Sequence, residues 1–479
     1  KTKDAITFLK LITQKYDVAT ANPPYTDSSD FGTDLKEFID KNYSKPYKFH
    51  INLYATFIKR CLELTNEKGK VAMVHPPTFM YIKTFEDVRK FILEKSHIDL
   101  FVEWGYLGMF HQSARVDAAM YVLDKQIQKE KETTFIKLNH IYEGKRYDAF
   151  VESYDNLISG NTHSNNYSIL QSKLKIIKSY PFIYWISDEF RKKFGENDIK
   201  NVLSPAQGAA TTNNLKFLRF WWELSFDKDN IEEENWVNYA KGGPFQKWEG
   251  NMWLYINYKN NAEALVEAGA VLRNSDLYFL EGVTYSASGS KGASFRILPS
   301  NSIFDTGGSC IFANKEFKNT IFLLGFMNSK LVSYIVNCLN PTVNAQFGDM
   351  QRVPFVLPNK KLEKIITELS SGNVRITKLI NAKHLFDLDF KYSIVENDLK
   401  LDWKNNILHY FNKENYLLSQ VLINEAIINE KIFEVYELTP SDKAMVLVKE
   451  GESIGGFPVA AAAKQAYLKE ETDFPLDNI

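Results

Sequence analysis

Two rhythms of apolar and polar positions run through the chain as far as Asp124, one with the period of a strand and one with the period of a helix. The run Tyr16 to Ala21 reads as a strand, and Asn52 to Leu64 as a helix with one apolar face. Glu67-Lys68-Gly69 turns the chain into a strand from Lys70 to His75. Tyr81 to Lys95 is predicted helical, Ile98 to Glu103 extended, and Val116 to Leu123 a closing strand. This alternation is that of a doubly wound α/β sheet. Farther on, Thr320 to Asn340 reads as a buried helix ahead of an extended segment that holds Gln351-Arg352-Val353-Pro354. After Pro358 the pattern turns helical, over Leu362 to Leu369, Val374 to Ala382 and Asn415 to Tyr436. The expected organisation is therefore three regions, 1–150, 151–358 and 359–479, of α/β, α+β and helical character.

Composition fits that division, since 479 residues suggest two to four domains and 44% apolar with 14% aromatic residues supply sizeable cores. A net charge of −1 argues against a protein that coats DNA electrostatically, while leaving room for a local basic cleft. Cys61, Cys310 and Cys338 are few, odd in number and far apart, which argues against a disulfide framework or a zinc site. No metal is expected. No secretory pattern and no apolar run of membrane-spanning length is visible, so a cytoplasmic chain without membrane contact is expected. The chain begins at Lys1, and the first strand arrives within twenty residues, which reads as a truncated piece.

The tetrapeptide Asn22-Pro23-Pro24-Tyr25, directly after the first strand, carries a specific chemistry. The exocyclic nitrogen of adenine is a poor nucleophile, because its lone pair is delocalised into the ring. An Asn side-chain oxygen and the carbonyl of Pro23 both accept from the amino hydrogens, which favours a pyramidal nitrogen with its lone pair aimed at an electrophilic methyl. Pro24 stiffens the turn. Tyr25 offers a ring for a base that has left its stack. An ordinary strand-ending turn explains Asn-Pro equally well, but not the aromatic.

Asn22-Pro23-Pro24-Tyr25, Asn52-Leu53-Tyr54-Ala55-Thr56-Phe57, Gly69 to Val74 and Phe110-His111-Gln112-Ser113 occur in the order found in gamma-class adenine methyltransferases, which this region resembles. The resemblance implies the second half of a Rossmann-like methyltransferase sheet, and S-adenosylmethionine as cofactor. It implies that Asn22 and Phe57 touch that cofactor, Phe57 against its adenine ring, and that Tyr25 and Phe110 hold the flipped target base. The glycine-rich cofactor turn that such a fold needs is not found. Ile303 to Ser309 comes nearest, but its glycines are adjacent and it reads as a hairpin or bulge. The cofactor half is therefore expected upstream. Alone, the chain is expected to be inactive.

Downstream phrases narrow the resemblance to the PglX family, the adenine methyltransferases of the phage-defence systems called BREX. They include Gln207-Gly208, Asn213 to Arg219, Lys247 to Asn251, Glu281 to Ser286, Phe304 to Ser309, Leu323 to Lys330 and Asn340 to Asn344. The chain departs from the family at Ala209-Ala210, where a threonine and a glycine are usual. This resemblance implies marking of host DNA, with double-stranded DNA, other BREX proteins and a DNA-mimic phage inhibitor as candidate partners. From the residues themselves, 200 to 355 interleaves Trp221, Trp222, Trp248 and Trp253 with Asn, Ser, Gly, Lys and Arg, a composition suited to target recognition. Arg219, Arg273, Lys291 and Arg296 suit phosphate or guanine, and Asn213, Asn214 and Gln246 suit adenine edges. Ser286 to Gly292 is a flexible loop, either a hairpin tip or a closure on phosphate. Two other readings stay open: part of a fused restriction-modification enzyme, or a DNA-recognising scaffold for defence partners.

Overall fold

The computed structural model describes residues 2–110, 115–196, 199, 203–224, 236–286, 294–340, 347–384, 386–387, 390 and 402–450. The chain divides into two compact units, Lys1–Gly195 and Glu196–Ile479. The α/β, then α+β, then helical succession expected from the sequence is present, and the first unit continues through residues 151–195.

The first unit is built on six strands, β1 (Tyr16–Ala21), β2 (Thr65–His75), β3 (His97–Tyr106), β4 (Asp117–Asp124), β5 (Glu132–Lys137) and β6 (Asn166–Leu170). Their order in the sheet is β1-β2-β4-β3-β5-β6. β1 and β2 run parallel, as do β3 and β5, while β4 runs against both β2 and β3. β1, β2, β3 and β5 therefore all point the same way, and their carboxyl ends lie along one end of the sheet. One face buries Val71, Met73, Phe101, Tyr121 and Phe135 against Tyr54, Ala55 and Ile58 of helix α1 (Leu53–Leu64) and Val88 and Ile92 of helix α2 (Glu86–Lys95). On the opposite face Val102, Trp104, Ile136 and Leu138 pack against Ala149 and Phe150 of helix α3 (Arg146–Ile158). Toward β1 that face opens into an apolar groove of 460 Å³ floored by Thr20, Ala72, Val74, Met120 and Val122.

β1 pairs on one side only among the described residues, and Val18 in its middle is exposed. The helix ahead of it, Thr2–Thr13, exposes Ile6, Phe8, Leu9 and Leu11. Helix α2 starts at Glu86 rather than Tyr81, because the chain first makes two 3-10 turns, Pro77–Met80 and Lys83–Phe85. Buried Arg89 holds this form: it donates to the carbonyls of Phe79 at 2.6 Å, Ile82 at 2.8 Å and Ser179 at 3.0 Å, and of these the Ile82 carbonyl is one that a helix begun at Tyr81 would have satisfied itself.

The second unit carries two four-stranded sheets. One orders Ser302–Phe304, Trp236–Ala240, Leu254–Asn257 and Leu218–Phe220, the other Phe295–Leu298, Gly282–Tyr285, Cys310–Ala313 and Leu203–Ala206. Gly208 joins them, since a Cβ there would lie 1.8 Å from the Phe304 carbonyl oxygen, so only glycine permits the approach. The single helix expected over Thr320 to Asn340 is two, Thr320–Met327 and Lys330–Leu339, bent by 64° with Ser329 capping the second. The two short helices expected after Pro358 are one, Lys360–Asn381, and the last expected helix extends to Trp403–Val435. Gly325 lets Thr320–Met327 lie close against Ser370 of Lys360–Asn381. No single helix among the described residues is long and apolar enough to cross a membrane, and the bent pair that approaches this by composition is buried.

Candidate active site and nucleic-acid interface

Asn22 follows directly on β1, at the sheet end where the four like-directed strands stop, which is where open α/β sheets place their ligands. It is exposed and stands at the rim of the apolar groove. Pro23 is buried behind it, Pro24 is exposed, and Tyr25 is half-buried. The Tyr25 hydroxyl donates to Asn22 Oδ1 at 2.7 Å, so ring and amide are held as one unit. Partial burial pushes the Tyr25 pKa up and keeps the hydroxyl a donor. The turn is tied down beyond Tyr25, where Leu53 N–H donates to the Thr26 carbonyl at 2.9 Å and Asp27 bridges to Asn52. Asn52 in turn caps α1 by accepting from Tyr54 N–H at 3.2 Å.

Phe57 sits on α1, half-buried, and lines a second cavity of 600 Å³ with Phe38, Tyr43, Arg60 and Glu63. Phe110 is half-buried in the stretch after β3, at the same end of the sheet as Asn22 but three strand places away. His75, which ends β2, is buried between these positions. Its Nδ1 donates to the Pro76 carbonyl at 2.9 Å, which leaves Nε2 to accept from the Tyr121 hydroxyl at 2.7 Å, and Tyr54 stacks on the ring at 4.3 Å. Burial lowers its pKa to about 4, so it is a neutral core residue.

In the second unit the structure separates the candidate DNA contacts. Asn213 is exposed and spends its side-chain oxygen on the Lys216 N–H at 3.1 Å. Asn214 is exposed, and its Oδ1 accepts from Thr211 Oγ1 at 2.5 Å and Lys241 Nζ at 3.3 Å. Arg219 is half-buried, donates to the Leu215 and Leu218 carbonyls, and lies over the Trp236 ring at 5.7 Å. Arg273 is exposed and reaches Thr306 Oγ1 at 3.4 Å. Gln246 is half-buried, and its carbonyl accepts from Arg296 Nη1 at 3.2 Å. Arg296 itself is only 1% exposed, and burial lowers its pKa to about 10. It sits inside the unit, where the Gln246 and Ser294 carbonyls and the Ser286 hydroxyl accept from its guanidinium, partners that a basic residue in an alternating segment does not reveal in sequence. Trp248 is likewise interior at 1% exposed, its Nε1 donating to Glu425 Oε1 at 2.8 Å. Phe220 and Trp222 do present aromatic surface, stacked at 4.5 Å. Lys291, His111 and residues 287–293 lie outside the described residues.

Sequence reading missed Lys241 and Asp305. The Asp305 carboxylate accepts from the Tyr239 hydroxyl, from Lys241 Nζ at 3.0 Å and from Gly307 N–H at 2.6 Å, while Asp305 N–H donates to the Ala240 carbonyl at 2.9 Å. Thr306 N–H meets the Ala209 carbonyl at 3.1 Å. Ala209, Asn214, Lys241 and Asp305 to Gly307 thus form one polar knot, which exposed Arg273 joins at Thr306. Among the described residues no group of three His, Cys, Asp or Glu side chains is arranged to hold a metal ion.

Residues 1–110 match the family model of the Eco57I restriction-modification methylase. Over 440 residues the chain is 29% identical to the adenine-specific methyltransferase BrxX of Escherichia coli O9:H4 (strain HS), covering 89% of this chain and 34% of that protein. It is 28% identical over 373 residues to the adenine-specific methyltransferase PglX of Lacticaseibacillus casei (strain Zhang), covering 72% of this chain and 30% of that one. The chain therefore spans about a third of the length of these relatives. In fold it matches the Type IIL restriction-modification enzyme MmeI, solved in complex with DNA, with a TM-score of 0.55 at 12% identity over 94% of this chain and 57% of that one. The chain is a homologue, over most of its length, of the adenine-specific methyltransferases BrxX and PglX, and its residues 1–110 match the Eco57I methylase family model.

Proposed function

We propose that this chain is the base-activating and target-recognising part of a site-specific DNA adenine-N6 methyltransferase that marks host DNA in a BREX defence system. The observation that carries the reading is Asn22-Pro23-Pro24-Tyr25 at the carboxyl end of β1, with the Asn22 amide exposed and the Tyr25 ring fixed beside it. S-adenosylmethionine, when bound, supplies the electrophilic methyl. The chain's own residues suit one part of that cofactor: Phe57, with Phe38 and Tyr43, makes an aromatic wall in the 600 Å³ cavity suited to an adenine ring, while Asn22 lines the separate 460 Å³ groove. The edge of β1 that is unpaired among the described residues, and the groove beside it, are the surfaces on which a cofactor-binding half would complete the sheet.

Asn22 Oδ1 and the Pro23 carbonyl accept the two amino hydrogens of the target adenine and turn its lone pair outward. The Tyr25 hydroxyl orients the amide that does so, and its ring, with Phe110 opposite, replaces the stacking lost on flipping. No ionised base is required, in keeping with the neutral His75 nearby. Asn214, Arg273, Asn213, Arg219 and Gln246, with the Phe220–Trp222 stack, form the recognition side, and Lys291 belongs to it by its place in the sequence. Arg296 supports that side from within. Double-stranded DNA is the partner, in the cytoplasm, together with other BREX proteins and a DNA-mimic phage inhibitor.

The test is transfer of labelled methyl groups from S-adenosylmethionine to unmethylated DNA by the complete polypeptide, wild type beside Asn22→Ala, with modified positions read by sequencing. Adenine labelling at one short site, lost in the variant, is expected. DNA left unlabelled by both proteins, with the defence partners added, favours a scaffold role instead.

A further inference from the structure

The stretch that carries Phe110 leaves β3 through an unusual backbone. Gly105, Leu107 and Gly108 have φ of 96°, 63° and 79°, and for Leu107 that region is unfavourable. Such a conformation persists only where its surroundings enforce it. On one side stands Arg146, the first residue of α3, which is 6% exposed and reaches away from its own helix. Its Nη1 donates to the carbonyls of Tyr106 and, at 2.8 Å, of Leu107, while Nε donates to the Ile141 carbonyl at 2.9 Å. On the other side Glu103, 4% exposed, accepts from Tyr81 at 2.9 Å, Tyr184 at 2.7 Å and Asn139 Nδ2 at 2.6 Å. Asn139, held in this way, lies so close to Gly105 that a Cβ there would be 2.7 Å from the Asn139 Cα. Leu107 N–H closes the base of the stretch on the Val116 carbonyl at 3.2 Å.

We infer that Arg146, with Glu103 and Asn139, is a positioning residue that fixes where Phe110 stands at the catalytic end of the sheet; this rests on the proposed reading of Phe110 as a partner of the flipped adenine. A buried guanidinium spent on carbonyls of three residues around one short bend contributes little as an isolated charge. Nη1 holds two successive carbonyls of the bend while Nε holds that of Ile141, a pair of grips that the single nitrogen of a lysine ammonium does not reproduce. Movement of the bend carries Phe110 with it, and small displacements of a group that holds the reacting partner are costly in rate.

The experiment uses the complete polypeptide and a duplex with 2-aminopurine in place of the target adenine, whose fluorescence rises when the base leaves the stack. Wild type, Phe110→Ala, Arg146→Gln, Arg146→Lys and Leu107→Gly are compared for flipping and DNA affinity on that duplex, and for kcat and KM on the matching adenine duplex, since 2-aminopurine lacks the 6-amino group that accepts the methyl. Arg146→Gln is expected to lose the fluorescence rise and about 100-fold in kcat with DNA affinity kept, and Arg146→Lys to recover part of both. Leu107→Gly relieves the backbone strain while loosening the bend, so it reports on positioning even where removal of Arg146 prevents folding; a loss intermediate between wild type and Phe110→Ala is expected. Full flipping in Arg146→Gln and Leu107→Gly, with flipping lost in Phe110→Ala, overturns the inference and leaves the base-stacking reading standing. Full flipping in Phe110→Ala as well overturns that reading and the inference with it.

Discussion

Tyr25 contributes two separable things, a ring and a hydroxyl, and single substitutions divide them. Tyr25→Phe keeps the ring and removes the bond to Asn22 Oδ1, so flipping should persist while the amide is less well oriented. Tyr25→Ala removes the ring, and a lost base–aromatic stack of about 1–3 kcal/mol predicts roughly a 5- to 150-fold weaker hold on the flipped base. Titration of 2-aminopurine fluorescence with the complete polypeptide distinguishes the two. His75 supplies a prediction in pH. Its folded pKa, about 4, lies below the ordinary 6.5, so between those values the unfolded chain binds a proton that the folded chain does not. Its contribution to stability is full above pH 6.5 and is lost as pH falls toward 4, at a slope of up to about 1.4 kcal/mol per pH unit. Chemical denaturation of His75→Phe should show lower stability at neutral pH but a flatter profile across that window. At this scale the sequence was legible where the pattern is contiguous, as in the placing of Asn22 to Tyr25 directly at the end of a strand. It was not legible where a charge is turned inward by partners distant in the chain: nothing local distinguishes Arg146, Arg296 or Asp305 from surface residues.

Secondary-structure elements were read well where one face meets a single core, as for α1 and β4, whose ends lie within a residue or so of those expected. Misreadings fell where a tertiary contact overrides local pattern. Arg89 draws carbonyls away from helix before Glu86, and the helix Lys360–Asn381 runs on through Ser371-Gly372 because that turn is packed against other helices rather than exposed. The pin between the Trp248 segment and helix Trp403–Val435 belongs to the same class. Glu425 accepts from Trp248 Nε1 at 2.8 Å and Lys247 Nζ at 3.2 Å, neither on its own helix. Glu425→Leu leaves both donors without this acceptor in a confined place, and a loss of about 2–3 kcal/mol is expected, read as a lower unfolding midpoint. Glu425→Gln, which keeps one acceptor, should lose less.

For the whole molecule, the sheet of the first unit stops at a strand whose outer edge and adjoining face are uncovered among the described residues. Calorimetry on the 479-residue chain alone should therefore find weak binding of S-adenosylmethionine or none, and micromolar binding would contradict the assignment of the cofactor cradle to residues outside it. The edge also makes the chain alone prone to self-association, visible as concentration-dependent size in light scattering.

On the proposed reading, target preference extends beyond residue 358, because the two sheets and the last long helices share one compact unit pinned at Glu425. Hybrids with a relative that exchange only residues 203–358 separate the two halves of that pin and of the Asn381–Glu249 contact, and should melt without cooperativity. Hybrids that exchange everything from Glu196 onward keep both halves together and should transfer the donor's target sequence intact.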